Sequence, residues 1–144
     1  MRGYFGIGIE NGKTEANIGT LWRSAYCLGA NFIFTIGTRY KEQPSDTTKS
    51  WRHIPLFHWG DVEYFFASQP KDVDLIGVEI GEDASPLQYF IHPERALYIL
   101  GPEDGSLSSR LRDNCKAIVS IDSAHCLNVA VAGSIVMYDR QSKS

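Results

Sequence analysis

Tyr4-Phe5-Gly6-Ile7-Gly8-Ile9-Glu10 reads as a strand, Ala16 to Leu28 as a helix closed by Gly29, and Asn31-Phe32-Ile33-Phe34-Thr35-Ile36 as a second strand. This is a βαβ opening, and such units build parallel sheets. Working outward, Asp74 to Ile80, Ala96 to Leu100 and Ala117 to Ile121 are apolar runs of strand length, as expected for strands buried on both faces. His53 to Phe57 reads as a short strand, and Gly60-Asp61 caps a helix that runs through Ala67 and stops before Pro70. Ser108 to Asn114 reads as a short helix. From Leu127 to Arg140 a longer helix carries Val131, Ile135 and Tyr138 on one face, with Val136 beside them. The polar run from Thr38 to Ser50 is expected to be a mobile surface loop over the site. No internal repeat is visible, so the reading is a single α/β domain over residues 1–144.

Composition narrows the function classes. The 144 residues are enough for one domain with a real core, and 43% hydrophobic with 22% charged residues is ordinary for a folded chain. A net charge of -3 argues against a sequence-blind polyanion binder held by bulk charge, so any nucleic acid must be steered by a local basic patch. Cys27, Cys115 and Cys126 show no paired spacing, and there is no signal-peptide pattern, which points to a reducing, cytoplasmic setting. The apolar stretch near Leu127 to Tyr138 is broken by Asn128, Gly133 and Ser134 and is too short to span a bilayer. His53, His58 and His92 have no metal-ligand spacing with the cysteines, so no metal is expected. Gly6-Ile7-Gly8 lies inside a strand and lacks the third glycine of a dinucleotide fingerprint.

Three further segments stand near the start, middle and end: Asn17-Ile18-Gly19-Thr20-Leu21-Trp22-Arg23-Ser24-Ala25, Leu100-Gly101-Pro102-Glu103-Asp104-Gly105-Ser106-Leu107 and Cys126-Leu127-Asn128-Val129-Ala130-Val131-Ala132. In that order they resemble the three motifs of the SpoU (TrmH-like) branch of the SPOUT RNA methyltransferases. The resemblance implies a Rossmann-like parallel-sheet core with a C-terminal deep trefoil knot, which periodicity does not reveal. It implies transfer of a methyl group from S-adenosylmethionine to a ribose 2'-hydroxyl, with tRNA favoured over rRNA. It also implies a homodimer that buries apolar faces of the first and last helices and combines residues of two subunits in each site. The chain is similar to a stand-alone catalytic domain without an N-terminal RNA-binding extension. The alternative is a catalytically inactive SPOUT-fold RNA-binding or assembly protein.

By the same resemblance the catalytic candidates are Asn17, Arg23, Glu103 and Asn128. Six residues on a helix is about 600° of turn, so Asn17 and Arg23 meet one ligand only if Asn17 sits at or before the helix start. Taken alone, Asn17 reads as a helix cap and Arg23 as a solvated helix charge, and the other motifs turn the reading to function. A guanidinium does not give up its proton, so Arg23 is read as a phosphate clamp that stabilises negative charge developing on oxygen. The cofactor candidates are Val78, Glu79, Ile80 and Gly81 after one strand, Leu100, Gly101 and Pro102 after another, and Ile118, Ser120, Cys126 and Leu127 in the third motif. Val119, Ser120 and Cys126 depart from the family's usual Pro, Met and Ser. For RNA, Arg39, Lys41, Lys49 and Arg52 join Arg23, with Tyr40, Trp51 and His53 interleaved for stacking. The alternative for those residues is a solvated loop anchored by Trp51.

Overall fold

A computed structural model describes residues 3–38, 53–80 and 83–143. The chain runs β1 (Tyr4–Glu10), α1 (Glu15–Cys27), β2 (Phe32–Ile36), β3 (Leu56–Trp59), α2 (Val62–Ser68), β4 (Asp74–Val78), β5 (Ser85–Pro86), a 3-10 turn (Leu87–Tyr89), β6 (Arg95–Leu100), α3 (Ser109–Asn114), β7 (Ala117–Ser120) and α4 (Val129–Ser142). The strands form one sheet in the order β3-β2-β1-β6-β4-β7-β5, and every pairing is parallel. The first three strands step outward from β1 and the later ones build the other half beyond β6. The point where the order reverses is where ligands gather in open α/β sheets.

Strand alternation assigns the two cores. Phe5, Ile7 and Ile9 point to the face covered by α1 and α4, where they meet Ile76, Val78, Tyr98, Leu100 and Val119. Phe32, Phe34, Leu97, Ile99 and Leu111 fill the opposite face with α2 and α3. The glycines of Gly6-Ile7-Gly8 serve that second core. A Cβ on Gly6 would stand 2.7 Å from the Phe32 ring, and one on Gly8 2.3 Å from that of Phe34, so bare backbone lets both rings lie against β1. On the first face, Gly133 brings α4 close to α1, since a Cβ there would meet Leu21 Cδ1 at 2.5 Å.

Three expectations change. The last helix packs through Val129, Ala130, Gly133, Val136 and Met137, whereas Val131, Ile135 and Tyr138 are 46%, 37% and 66% exposed. Both faces of α4 are apolar, so periodicity could not choose between them. The helix α1 begins at Glu15 after Thr14, which makes Asn17 its third residue rather than its cap. The strand expected over His53 to Phe57 is β3, Leu56–Trp59, because its register is set by pairing Ile33 with Leu56. The two-residue edge strand β5 and the turn after it carry no sequence signal, Pro86 being tolerated only where a strand lies at an edge.

At the amino ends of the strands, α4 is tied down by a buried polar cluster. His92 lies between Tyr98 Oη at 2.6 Å and Asp139 Oδ2 at 2.7 Å, and Asp139 also pairs with Lys143 at 2.8 Å. Arg140, 3% exposed, donates to the Pro93 and Glu94 carbonyls and to Tyr98 Oη, with its guanidinium over the Phe5 ring. Burial pushes the His92 imidazole below its ordinary value despite the neighbouring Asp139.

Candidate active site

At the opposite pole, β4, β6 and β7 end together. Val78 closes β4, Leu100 closes β6 and Ile121 follows β7, and with the 101–106 loop and the Cys126-Leu127 segment they wall a cleft of about 210 Å³. Its walls are apolar where Val78, Leu100, Ile121, Val129 and Ala132 meet, and Ile80, 61% exposed, stands at its mouth with Leu127, 37% exposed. A ligand with one flat apolar part and a polar remainder fits such a cleft.

The loop on one side of the cleft is fixed by three carboxylates from three places in the chain. Glu79 Oε1 accepts the Leu107 amide at 2.8 Å, and Glu10 Oε1, at the end of β1, accepts the Ser108 amide at 2.8 Å. Glu79 is also paired with Arg112, which reaches Asp83 at 2.9 Å. Glu103 works in the other direction: its carboxylate accepts the Lys13 amide at 3.0 Å and the Thr14 amide at 2.8 Å. Thr14 makes no side-chain cap of its own, and Glu103 satisfies the amide of this cap residue from 89 residues away. A negative charge there also meets the positive end of the helix dipole. Burial raises the Glu103 carboxyl, but the Lys13, Glu103 and Thr14 amides outweigh it and hold it below the usual carboxylate range.

Asn17 joins this loop to the third motif. Its Nδ2 donates to Glu103 Oε2 at 3.3 Å, and its Oδ1 accepts from Asn128 Nδ2 at 2.9 Å. Asn128 in turn caps α4, its Oδ1 accepting the Ala130 amide at 2.9 Å and the Val131 amide at 3.2 Å. One continuous chain of hydrogen bonds therefore links the amino ends of α1 and α4 through the middle loop. Three of the four catalytic candidates meet in it, and of these only Glu103 lines the cleft. The fourth stands apart. Arg23 is exposed and makes no hydrogen bond or ion pair with the described residues. With Asn17 inside the helix, the two side chains lie about 120° apart around α1 and about 9 Å apart along it.

Of the cofactor candidates, Val78, Glu79, Ile80, Leu100, Gly101, Pro102, Cys126 and Leu127 line the cleft. Ile118 and Ser120 do not. In β7 the neighbouring Val119 faces α1 and α4, so Ile118 points the other way, onto Gly77. Gly81 and the RNA candidates Arg39, Lys41, Lys49 and Arg52, like Tyr40 and Trp51, lie outside the described residues. Gly105, Ser106, Val129 and Ala132, within the quoted motifs but not among the named cofactor candidates, also line it, whereas Ile121 and Ser123 were not anticipated, nor was Glu10. An acid closing the apolar run Phe5 to Ile9 was the available signal for Glu10, which is 1% exposed. Among the described residues no group of three or more His, Cys, Asp or Glu is placed to hold a metal ion, and no helix is long and apolar enough to cross a membrane.

A parallel sheet that reverses its strand order, with glycine-bearing loops walling a cleft at its carboxyl ends, defines an α/β ligand-binding protein of the Rossmann-like kind. The profile of the SpoU rRNA Methylase family matches residues 5–138, and the chain belongs to that family. An AdoMet-bound rRNA methyltransferase from Sinorhizobium meliloti superposes on 99% of this chain and 57% of its own length, with 20% identity and a TM-score of 0.86. The A. aeolicus TrmH/SpoU tRNA modifying enzyme superposes on 96% of this chain and 74% of its own, with 16% identity and a TM-score of 0.85. A protein solved to explain the 2-OH methylation of C/U34 on tRNA covers 98% of this chain and 96% of its own, at 17% identity and a TM-score of 0.81. At such identities the likeness is one of fold, and the chain spans little more than half of the first relative. No curated protein sequence matches the chain.

Proposed function

We propose that this chain binds S-adenosylmethionine in the cleft and methylates a ribose 2'-hydroxyl of RNA, tRNA rather than rRNA, as a single catalytic domain working in a homodimer. The observation that carries the reading is the hydrogen-bonded chain Glu103–Asn17–Asn128, which ties the starts of α1 and α4 to the loop that walls the cleft. The cleft suits the cofactor: Val78, Leu100, Ile121 and Ala132 offer apolar walls for an adenine ring, and the Gly101 backbone folds tightly against Ser106 and Leu107. When bound, S-adenosylmethionine supplies an electrophilic methyl group. The chain's own residues hold the rest. Glu79 and Glu10 fix the loop, Glu103 and Asn17 set its distance from α1, and Asn128 orients the start of α4.

Arg23 is the residue for the RNA side. As a permanent cation it clamps the phosphate beside the reacting ribose, orients the 2'-oxygen and steadies its growing negative charge. Its place on α1, turned away from Asn17, supports a site completed by a second subunit. The exposed stripe Val131, Ile135 and Tyr138 on α4, with Thr20 and Leu28 of α1, is the apolar surface such a subunit would cover. The reading carries with it the trefoil knot of the family fold and a reducing, cytoplasmic setting in which Cys27, Cys115 and Cys126 stay free.

The test is transfer of a labelled methyl group to unmodified bulk tRNA and, separately, to rRNA, followed by alkaline hydrolysis. Label retained in alkali-resistant dinucleotides of tRNA is the expected result. Label on a base overturns the ribose assignment. Saturable cofactor binding without any transfer favours the inactive RNA-binding alternative.

A further inference from the structure

On the flank of α1 away from α4, Tyr26 stacks on His53 with ring centroids 4.4 Å apart and planes 10° from parallel. The geometry points to this pair as a platform on which an unpaired base of the RNA substrate stacks, with Arg23 taking an adjoining phosphate. The inference rests on the reading of the chain as an RNA methyltransferase and adds to it where on the surface the RNA is held.

Four observations carry it. First, the backbone beside the pair is held. Trp22, 6% exposed, donates its indole N–H to the Ile54 carbonyl at 3.1 Å, and the Pro55 carbonyl accepts the Ile33 amide at 3.0 Å, so the backbone just after His53 is pinned to both α1 and β2. Second, the pair is open. Tyr26 is 41% exposed and His53 is exposed as well, so the rings do not cover each other completely. Third, neither the Tyr26 hydroxyl nor the His53 imidazole makes a hydrogen bond with the described residues, so the polar edges of both rings are open to a ligand. Fourth, Arg23 stands three residues before Tyr26, on the neighbouring part of the same helical face, where side chains are about 5–6 Å apart at Cβ. A cation without a partner among the described residues, beside stacked rings, matches the two needs of single-stranded RNA, charge for the backbone and a flat face for the base. The flank is also distinct from the apolar groove on the other side of α1, which Thr20 and Leu28 share with α4, so the platform does not compete with a second subunit for the same surface.

The experiment uses the full chain and two probes: a single-stranded oligoribonucleotide carrying one 2-aminopurine, whose fluorescence falls on stacking, and unmodified bulk tRNA. Tyr26→Ala and His53→Ala should each weaken RNA binding about tenfold and abolish the quenching, while S-adenosylmethionine affinity stays as in the wild type. Tyr26→Phe, which keeps the ring and loses the hydroxyl, should bind and quench like the wild type. Alanine variants that bind and quench as the wild type does, in a protein that still methylates RNA, overturn the platform alone. A wild-type protein that binds neither probe overturns the platform together with the reading beneath it.

Discussion

The two ends of α1 carry residues of the same motif and live in different surroundings. At the amino end, Asn17 has both halves of its amide engaged, by Glu103 and Asn128, and the Lys13 and Thr14 amides just ahead of the helix go to Glu103. Two turns on, Arg23 and Tyr26 face outward, and among the described residues their one partner is the ring of His53 on Tyr26. The difference teaches that one motif supplies two separate services. Its start is framework for a cleft, where the Asn17 amide is matched on both sides, and its end is a surface kept free for something that arrives.

Removing each end in turn should break the molecule in different ways. Arg23→Ala is expected to have the largest effect on turnover, a loss of about 10²–10³-fold in methyl transfer, with thermal stability and cofactor affinity kept. Turnover like the wild type's would remove Arg23 from the reaction. Glu103→Ala should do the converse. By stripping the start of α1 of its acceptor it should cost about 1 kcal/mol of stability in denaturant unfolding and weaken S-adenosylmethionine about tenfold in calorimetry. Unchanged stability would mean that the contact to Lys13 and Thr14 is idle.

The buried cluster at the other pole serves as the control for both ends. His92 is held neutral by burial in the folded protein, whereas an unfolded chain takes up its proton near pH 6.5. As pH falls below that value the unfolded state binds more protons, so stability declines with it. The melting temperature should drop between pH 7 and pH 5.5, and His92→Gln should flatten that drop without altering cofactor affinity at pH 7. A wild-type melting temperature that is level across this range would contradict the buried, neutral imidazole.

How far the sequence foretold this depends on the distance over which each feature is set. Strands such as Phe5 to Ile9 and Leu97 to Leu100 were legible because their apolar runs are local. The cap of α1 was not, because its acceptor, Glu103, belongs to a loop whose position only the finished sheet decides. The motif residues were legible as a set, but their division into framework and free surface was not, since it turns on whether the helix starts at Glu15 or at Asn17. The inward face of α4 was equally hidden. A helix with Val136 and Met137 on one side and Val131 and Ile135 on the other offers periodicity nothing to choose between, and only the close approach of Gly133 to Leu21 selects the side. In β7 a shift of one residue decides that Val119 rather than Ile118 faces the α1 side.

In the proposed dimer the two ends of α1 belong to different sites, the frame serving its own cleft and Arg23 serving the cleft of a second copy. Mixing Arg23→Ala protein with Glu103→Ala protein, at an S-adenosylmethionine concentration low enough that each is poorly active alone, tests it directly. In a mixed pair one cleft is intact and faces an intact Arg23 from the other copy, so methyl transfer to RNA should recover to a substantial fraction of the wild-type rate. If mixing leaves activity at the level of the separate variants, Arg23 and Glu103 act within one chain and the account is wrong.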